Sequence, residues 1–160
     1  MPTASIDRVE DIWYRAIDLE ILTIAIGDGG NELGMGKVHE EIITTIPEGD
    51  LIAATASCMY LLTCGVSNWG CWALQFALAC LQDDMIHQRY RQHGLGDWNN
   101  LKTGRSIVLS SSEQWRILDV VTRQGYLDGI TQSRETVDNL KWDEHKKTHE
   151  MMNEYADFQI

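Results

Sequence analysis

Proline, phenylalanine and positive charge are all scarce in this sequence. Two prolines in 160 residues leave long uninterrupted stretches for helices and exclude a proline-rich linker or stalk. Thirteen Lys and Arg stand against 24 Asp and Glu, a net charge of -11. A nucleic-acid binder needs a basic footprint, so that class is excluded. The acid is concentrated at one end: residues 1–60 carry 11 acidic and 3 basic side chains, whereas residues 61–129 carry six of each. Such a balance offers no long-range attraction to an anionic substrate, and any anion site must work through local donors. Cys58, Cys64, Cys71 and Cys80 include no CxxC pair and lie in apolar surroundings. They read as buried thiols of a reducing compartment, rather than as a disulfide framework or zinc site. The opening "MPTASIDRVEDIW" is neither a signal peptide nor an Arg-rich transit peptide. It runs almost directly into an amphipathic helix, which reads as a portion of a longer chain.

Charge is also missing from Leu51 to Gln82, a stretch longer than the roughly 20 residues of a membrane span. Its middle, "CGVSNWGC", interrupts the apolar run with Gly, Ser and Asn. The stretch is therefore divided into a buried strand and a buried helix, and a membrane partner is not expected.

What is abundant is glycine in one place. "IAIGDGGNELGMGKV", residues 24–38, holds five glycines in fifteen residues. Glycine loses more conformational freedom on folding than any other residue, so this density marks a sharp turn or a close approach. Around it the periodicity predicts a helix over 5–18, a strand over 20–26 and a helix over 35–46. A turn follows at 47–50, then a short strand at 51–55 and a strand at 57–65. Gly65 to Asn68 form a loop before a helix from Trp69 to Gln82. Residues 93–104 read as a loop and 106–110 as a strand. Ser110 and Glu113 form a capping box opening a helix to Arg123, and residues 134–157 read as mainly helical. The fold class expected is α/β: a layered, mostly parallel sheet with flanking helices, forming part of a larger domain. Ligands in such folds sit at the carboxyl ends of strands. The loops "GDGGNELGMG" and "GVSNWG" should therefore lie on the same sheet edge, each leading into a helix N-terminus that suits a carboxylate or phosphate.

Two nucleotide motifs fail here. A P-loop needs a hydroxyl residue after Gly36-Lys37, where Val38 stands, and a glycine where Asn31 stands. A dinucleotide fingerprint beginning at Gly27 and Gly29 has Glu32 in place of the third glycine, which must be small for close helix packing.

"IGDGGNELGMGKV" together with "GVSNWG" resembles the C-terminal domain of the D-glutamate cyclase family. "DGIT" at 128–131 and "VDNL" at 137–140 are similar to that family's tail, with Asn139 where a glycine is expected. The resemblance covers most of residues 20–142. It implies a hydro-lyase converting D-glutamate to 5-oxo-D-proline and water, a mitochondrial location, and a chain that is the C-terminal portion of something longer. The partners implied are D-glutamate and either a second copy or the missing N-terminal part.

Cyclisation requires the α-ammonium to lose protons, donors for an oxyanion, and an acid to help the oxygen leave. Asp28 is assigned as the ammonium-binding group or base and Glu32 as the acid. The two could exchange roles, or hold a divalent metal together; no cofactor is otherwise required. Backbone N–H groups of Gly29, Gly30 and Gly34, with Asn31, Ser67 and Asn68, are the expected carboxylate donors, and the tail adds Asp128, with Asp138 beside it. Each has a plainer alternative: Asp28 as a turn residue, Glu32 as a dipole partner of the next helix, Asn68 as a helix N-cap, and Asp128 as D-G turn chemistry. Lys37 and His39 read as helix surface positions. His145 and His149 have the i, i+4 spacing of a two-histidine metal clip, but read as part of a solvated acidic-basic helix face. Two rival functions stay open: a non-catalytic anion-binding or regulatory module, and an enzyme acting on another small amino or carboxylic acid.

Overall fold

The computed structural model describes residues 9–94 and 108–158. The chain divides into two compact units, Met1–Gly70 and Cys71–Ile160.

The first unit is built around a strand that leaves a helix behind it and a glycine loop ahead of it. Helix α1 spans Val9–Asp18. Of its apolar stripe, Trp13 and Ala16 are half-buried, but Ile12 is 75 % exposed. The Trp13 indole N–H donates to the Ser57 carbonyl at 2.6 Å. Strand β1 is Ile24–Gly27, shorter than expected at its start because Glu20 adopts a positive φ of 54° and residues 19–21 turn back on α1. β1 pairs in parallel with β2, Tyr60–Thr63, with Ile24 opposite Tyr60 and Gly27 opposite Thr63. Between them lie a short 3-10 turn at Met35–Val38, helix α2 at His39–Thr45 and the single turn α3 at Gly49–Ile52.

The strand expected at 51–55 is not formed. The turn around Pro47 continues as α3, with the Ala53 N–H bonded to the Gly49 carbonyl and the Ala54 N–H to the Gly30 carbonyl. Among the described residues the parallel sheet has two strands, so the structure is mixed helix and strand without the layered, mostly parallel sheet that was expected. Ala25, Met35, Ile42, Ala56, Cys58 and Val66 form the core of this unit.

Helix α4, Ser67–His93, starts two residues earlier and runs eleven residues further than its sequence pattern suggested. The helix continues through Asp83 and Asp84, and Asp83 is buried on the same face as Trp72, Phe76 and Ala79. Among the described residues no helix is long and apolar enough to cross a membrane.

In the second unit α5, Ser111–Arg123, opens on the expected capping box: the Ser110 hydroxyl accepts from the Glu113 N–H while the Glu113 carboxylate accepts from the Ser110 N–H. The strand expected at 106–110 is absent where it can be seen. Residues 106–107 lie outside the described residues, and 108–110 are irregular because Ser110 caps α5. The segment 134–157 is not helical from its start. Thr136–Val137 (β3) and Leu140–Lys141 (β4) pair as an antiparallel hairpin. Its turn residues Asp138 and Asn139 have φ of 52° and 64°, a conformation in which Asn substitutes well for Gly. Helix α6 then runs Trp142–Phe158.

Two expectations about side chains differ from the structure. His145 and His149 are not on a solvated face: they are 0 % and 4 % exposed. Trp72 meets both rings edge-on at 6.0 and 5.2 Å, and Phe76 meets His149 at 5.2 Å. The charges of α6, such as the Lys146–Glu150 pair, occupy another face. Cys71 is exposed rather than buried.

Candidate functional site

Parallel pairing of β1 and β2 places their carboxyl ends side by side, and the two motif loops leave the sheet at that edge. The Cys64 N–H bonds to the Gly27 carbonyl at 3.1 Å, extending the ladder to the first residue of each loop. Beyond it the chain makes a nest, a concavity of successive backbone N–H groups that suits an anion. The Asp28 and Gly29 N–H groups both donate to Glu32 Oε1 at 3.0 Å, and the Gly30 N–H donates to Oε2 at 2.9 Å. The Ser67 hydroxyl, from the second loop, donates to Oε1 at 3.4 Å. Asp28 makes the reciprocal link: its Oδ2 accepts from the Ser67 backbone N–H at 2.7 Å, which satisfies one free donor at the start of α4. Two carboxyl groups thus fasten the loops together.

Glycine is required at two of these positions. Gly30 has φ of +97°, and a Cβ there would stand 2.9 Å from Ile42 Cγ2. Gly34 has φ of +99°, and a Cβ would meet Ala25 Cβ at 2.3 Å.

Burial alone would raise the Glu32 pKa. Hydrogen bonds from the Asp28 side chain and from the Asp28 and Gly29 backbone outweigh it and hold the carboxyl down to about 2. Asp28 and Glu32 thus stand side by side where the two loops meet, with Glu32 as the carboxylate that the loop's N–H groups stabilise. As for a metal, both Glu32 oxygens already receive N–H donors, and among the described residues no group of three or more His, Cys, Asp or Glu could hold a metal ion.

A family described as "D-glutamate cyclase-like, C-terminal" matches residues 3–153. The chain belongs to that family. A human protein named "D-glutamate cyclase, mitochondrial" is 39% identical over 92 residues. That stretch is 57% of this chain and 15% of the human protein.

Within this D-glutamate cyclase-like chain, the structure brings together Asp28, Gly29, Gly30, Glu32 and Ser67. Asn31 and Asn68 are exposed beside them in sequence, Asn68 in the first turn of α4 rather than at its cap. Asp128 belongs to the second unit. There its Oδ1 accepts from the Ile130 N–H and its Oδ2 from the Asn139 N–H. The Ile130 bond is the largest influence on its carboxyl, and with the Thr136, Asn139 and Thr131 bonds it holds the pKa at about 2. Asp128 thus ties the DGIT turn to the tip of the hairpin. Lys37 donates to the Met59 carbonyl, and His39 Nδ1 lies 2.8 Å from the Ala54 carbonyl, so both brace the glycine loop's neighbours. The two-histidine clip is not assembled: His145 Nε2 bonds to the Val137 carbonyl at 2.8 Å. What the sequence reading missed is the occupant of the nest. The signal was local, a glutamate two to four residues after three loop N–H groups, but it points inward only once the loop's path is known.

Proposed function

We propose that this chain carries the reactive loops of a D-glutamate cyclase-like hydro-lyase, converting D-glutamate to 5-oxo-D-proline and water. The observation that supports it best is the placement of two acidic side chains, Asp28 and Glu32, at the joined carboxyl ends of β1 and β2. Cyclisation forms a bond between the α-nitrogen and the γ-carboxyl carbon and breaks one C–O bond. Two ammonium protons leave with that oxygen as water, and one remains on the lactam nitrogen. An acid-base group at this edge suits this exchange, because Asp28 can take a proton from the ammonium and pass one to the departing oxygen.

In this reading Asp28 binds the ammonium and carries protons, with Glu32 as its partner. Asn31, Ser67 and Asn68 offer donors to the substrate carboxylates, next to the glycine loop whose Gly29 and Gly30 N–H groups hold Glu32. The human relative's name supports a mitochondrial location. A second copy, or a preceding part of a longer chain, is the proposed protein partner, since Ile12, Leu51 and Leu62 are exposed. The test is to incubate D-glutamate with this chain and with the longer protein that contains it, and to follow 5-oxoproline by proton NMR. Formation that Asp28→Asn abolishes supports the proposal. No product from either protein, or turnover of a different amino acid, refutes it.

A further inference from the structure

The glycine loop is an anion receptor whose anion is already in place. Three consecutive N–H groups converge on one carboxylate, and that carboxylate belongs to the same loop. We propose that Glu32 is a positioning residue, the permanent occupant of the nest, and that the carboxylates of the substrate are received outside it.

The inference deepens the cyclase reading and rests on it for the substrate, but its geometry is independent. A carboxylate offers about four lone-pair sites. Both Glu32 oxygens are engaged: Oε1 accepts from the N–H groups of Asp28 and Gly29 and from the Ser67 hydroxyl, and Oε2 accepts from the Gly30 N–H. An external carboxylate would have to displace a tethered one, whose effective concentration is that of an intramolecular group. The nest is also fixed from behind, because the Gly30 carbonyl accepts from the Ala54 N–H at 2.9 Å. Neither Glu32 oxygen is without a donor from the loops, so the group is held facing the nest. It acts through Asp28, whose backbone and side chain both bond to it and whose carboxylate reaches across to α4. The substrate then meets Asp28, and the exposed Asn31 and Asn68 remain for its carboxylates.

The test is chemical rescue. Glu32→Ala empties a carboxylate-shaped nest, and formate is small enough to enter it. Thermal unfolding of Glu32→Ala and of the wild type is followed against sodium formate, with sodium chloride as the ionic-strength control. The expected result is saturable stabilisation of the variant alone. The folded-to-unfolded ratio should rise about 11-fold when formate reaches ten times its Kd. D-glutamate turnover by the variant should return with formate through kcat, at unchanged KM. Equal formate effects on both proteins overturn the proposal. So does a variant that keeps kcat while KM rises, because the nest would then be a substrate site. If the wild type does not turn over D-glutamate, the functional reading fails, while the formate titration still decides what the nest holds. Should Glu32→Ala not fold, Glu32→Gln replaces it: the Gly30 amide proton must move strongly from its wild-type resonance, and an unmoved one overturns the proposal.

Discussion

Gly29 and Gly30 are neighbours in the sequence and both donate to Glu32, yet alanine should affect them very differently. At Gly30 an alanine must hold φ near +97°, which costs an L-residue about 1–2 kcal/mol. Its Cβ would also press within 2.9 Å of Ile42. That side chain is only 4 % exposed and must shift within a packed core, at about 1–3 kcal/mol. Together the substitution should cost about 3 kcal/mol, a large part of the 5–15 kcal/mol of a typical domain. At Gly29 no positive φ is imposed. The new Cβ would meet only Asn31 Oδ1 at 3.3 Å and Glu32 oxygens beyond it, and Asn31 is an exposed side chain free to move. The expected cost is under about 1 kcal/mol, the level of surface changes. Urea unfolding followed by circular dichroism measures both, with the slope confirming comparable unfolding. Equal losses in the two variants, or a Gly29→Ala loss exceeding that of Gly30→Ala, would refute the loop geometry.

Other outcomes follow from single contacts. Ser110→Ala removes the α5 capping box and should lower stability by about 1 kcal/mol, as urea unfolding would show; no change would mean that α5 starts elsewhere. Burial holds the His149 pKa below its ordinary value against the opposing Leu109 hydrogen bond and Glu150 charge. The unfolded chain therefore binds more protons as pH falls through the ordinary histidine range. This contribution to stability is complete above that range and is lost as pH falls toward the folded-state pKa. His149→Gln should flatten that part of the stability-against-pH curve, and an unchanged slope would contradict it. The depressed Glu32 carboxyl acts lower on the scale: its contribution is present above the unfolded value of 4.5 and disappears as pH falls through about 2. Asp28→Asn should leave the melting temperature nearly unchanged while reducing kcat by about 10²–10⁴-fold, the usual effect of losing an acid-base group. Normal turnover with a lowered melting temperature would make Asp28 a turn residue instead.

The readable parts of the fold were those determined locally. The capping box at Ser110 and Glu113 needs only three residues of spacing. The two strand-loop-helix units were visible because a β-branched run in one case and an apolar run in the other end at glycine-containing loops, and parallel pairing then brought those loops to one edge. Long-range effects were hidden. Pro47-Glu48-Gly49-Asp50 signals a turn, but not that the turn continues as α3 and replaces a strand. The charges around His145 and His149 suggest water, whereas Trp72 and Phe76, some seventy residues earlier, pack against their rings. Glu32 was recognised as important, but its direction depends on the positive φ of Gly30 and Gly34, which the letters permit without specifying.

The central claim is that ligand chemistry occurs where the loops after β1 and β2 meet. A crystal structure of the chain soaked with 5-oxo-D-proline tests this most directly. The account predicts the lactam within hydrogen-bond distance of Asp28 and of a donor from Asn31, Ser67 or Asn68, with Glu32 still held by the N–H groups of Asp28, Gly29 and Gly30. A lactam bound away from both loops, or seated in the nest with Glu32 expelled, would contradict it.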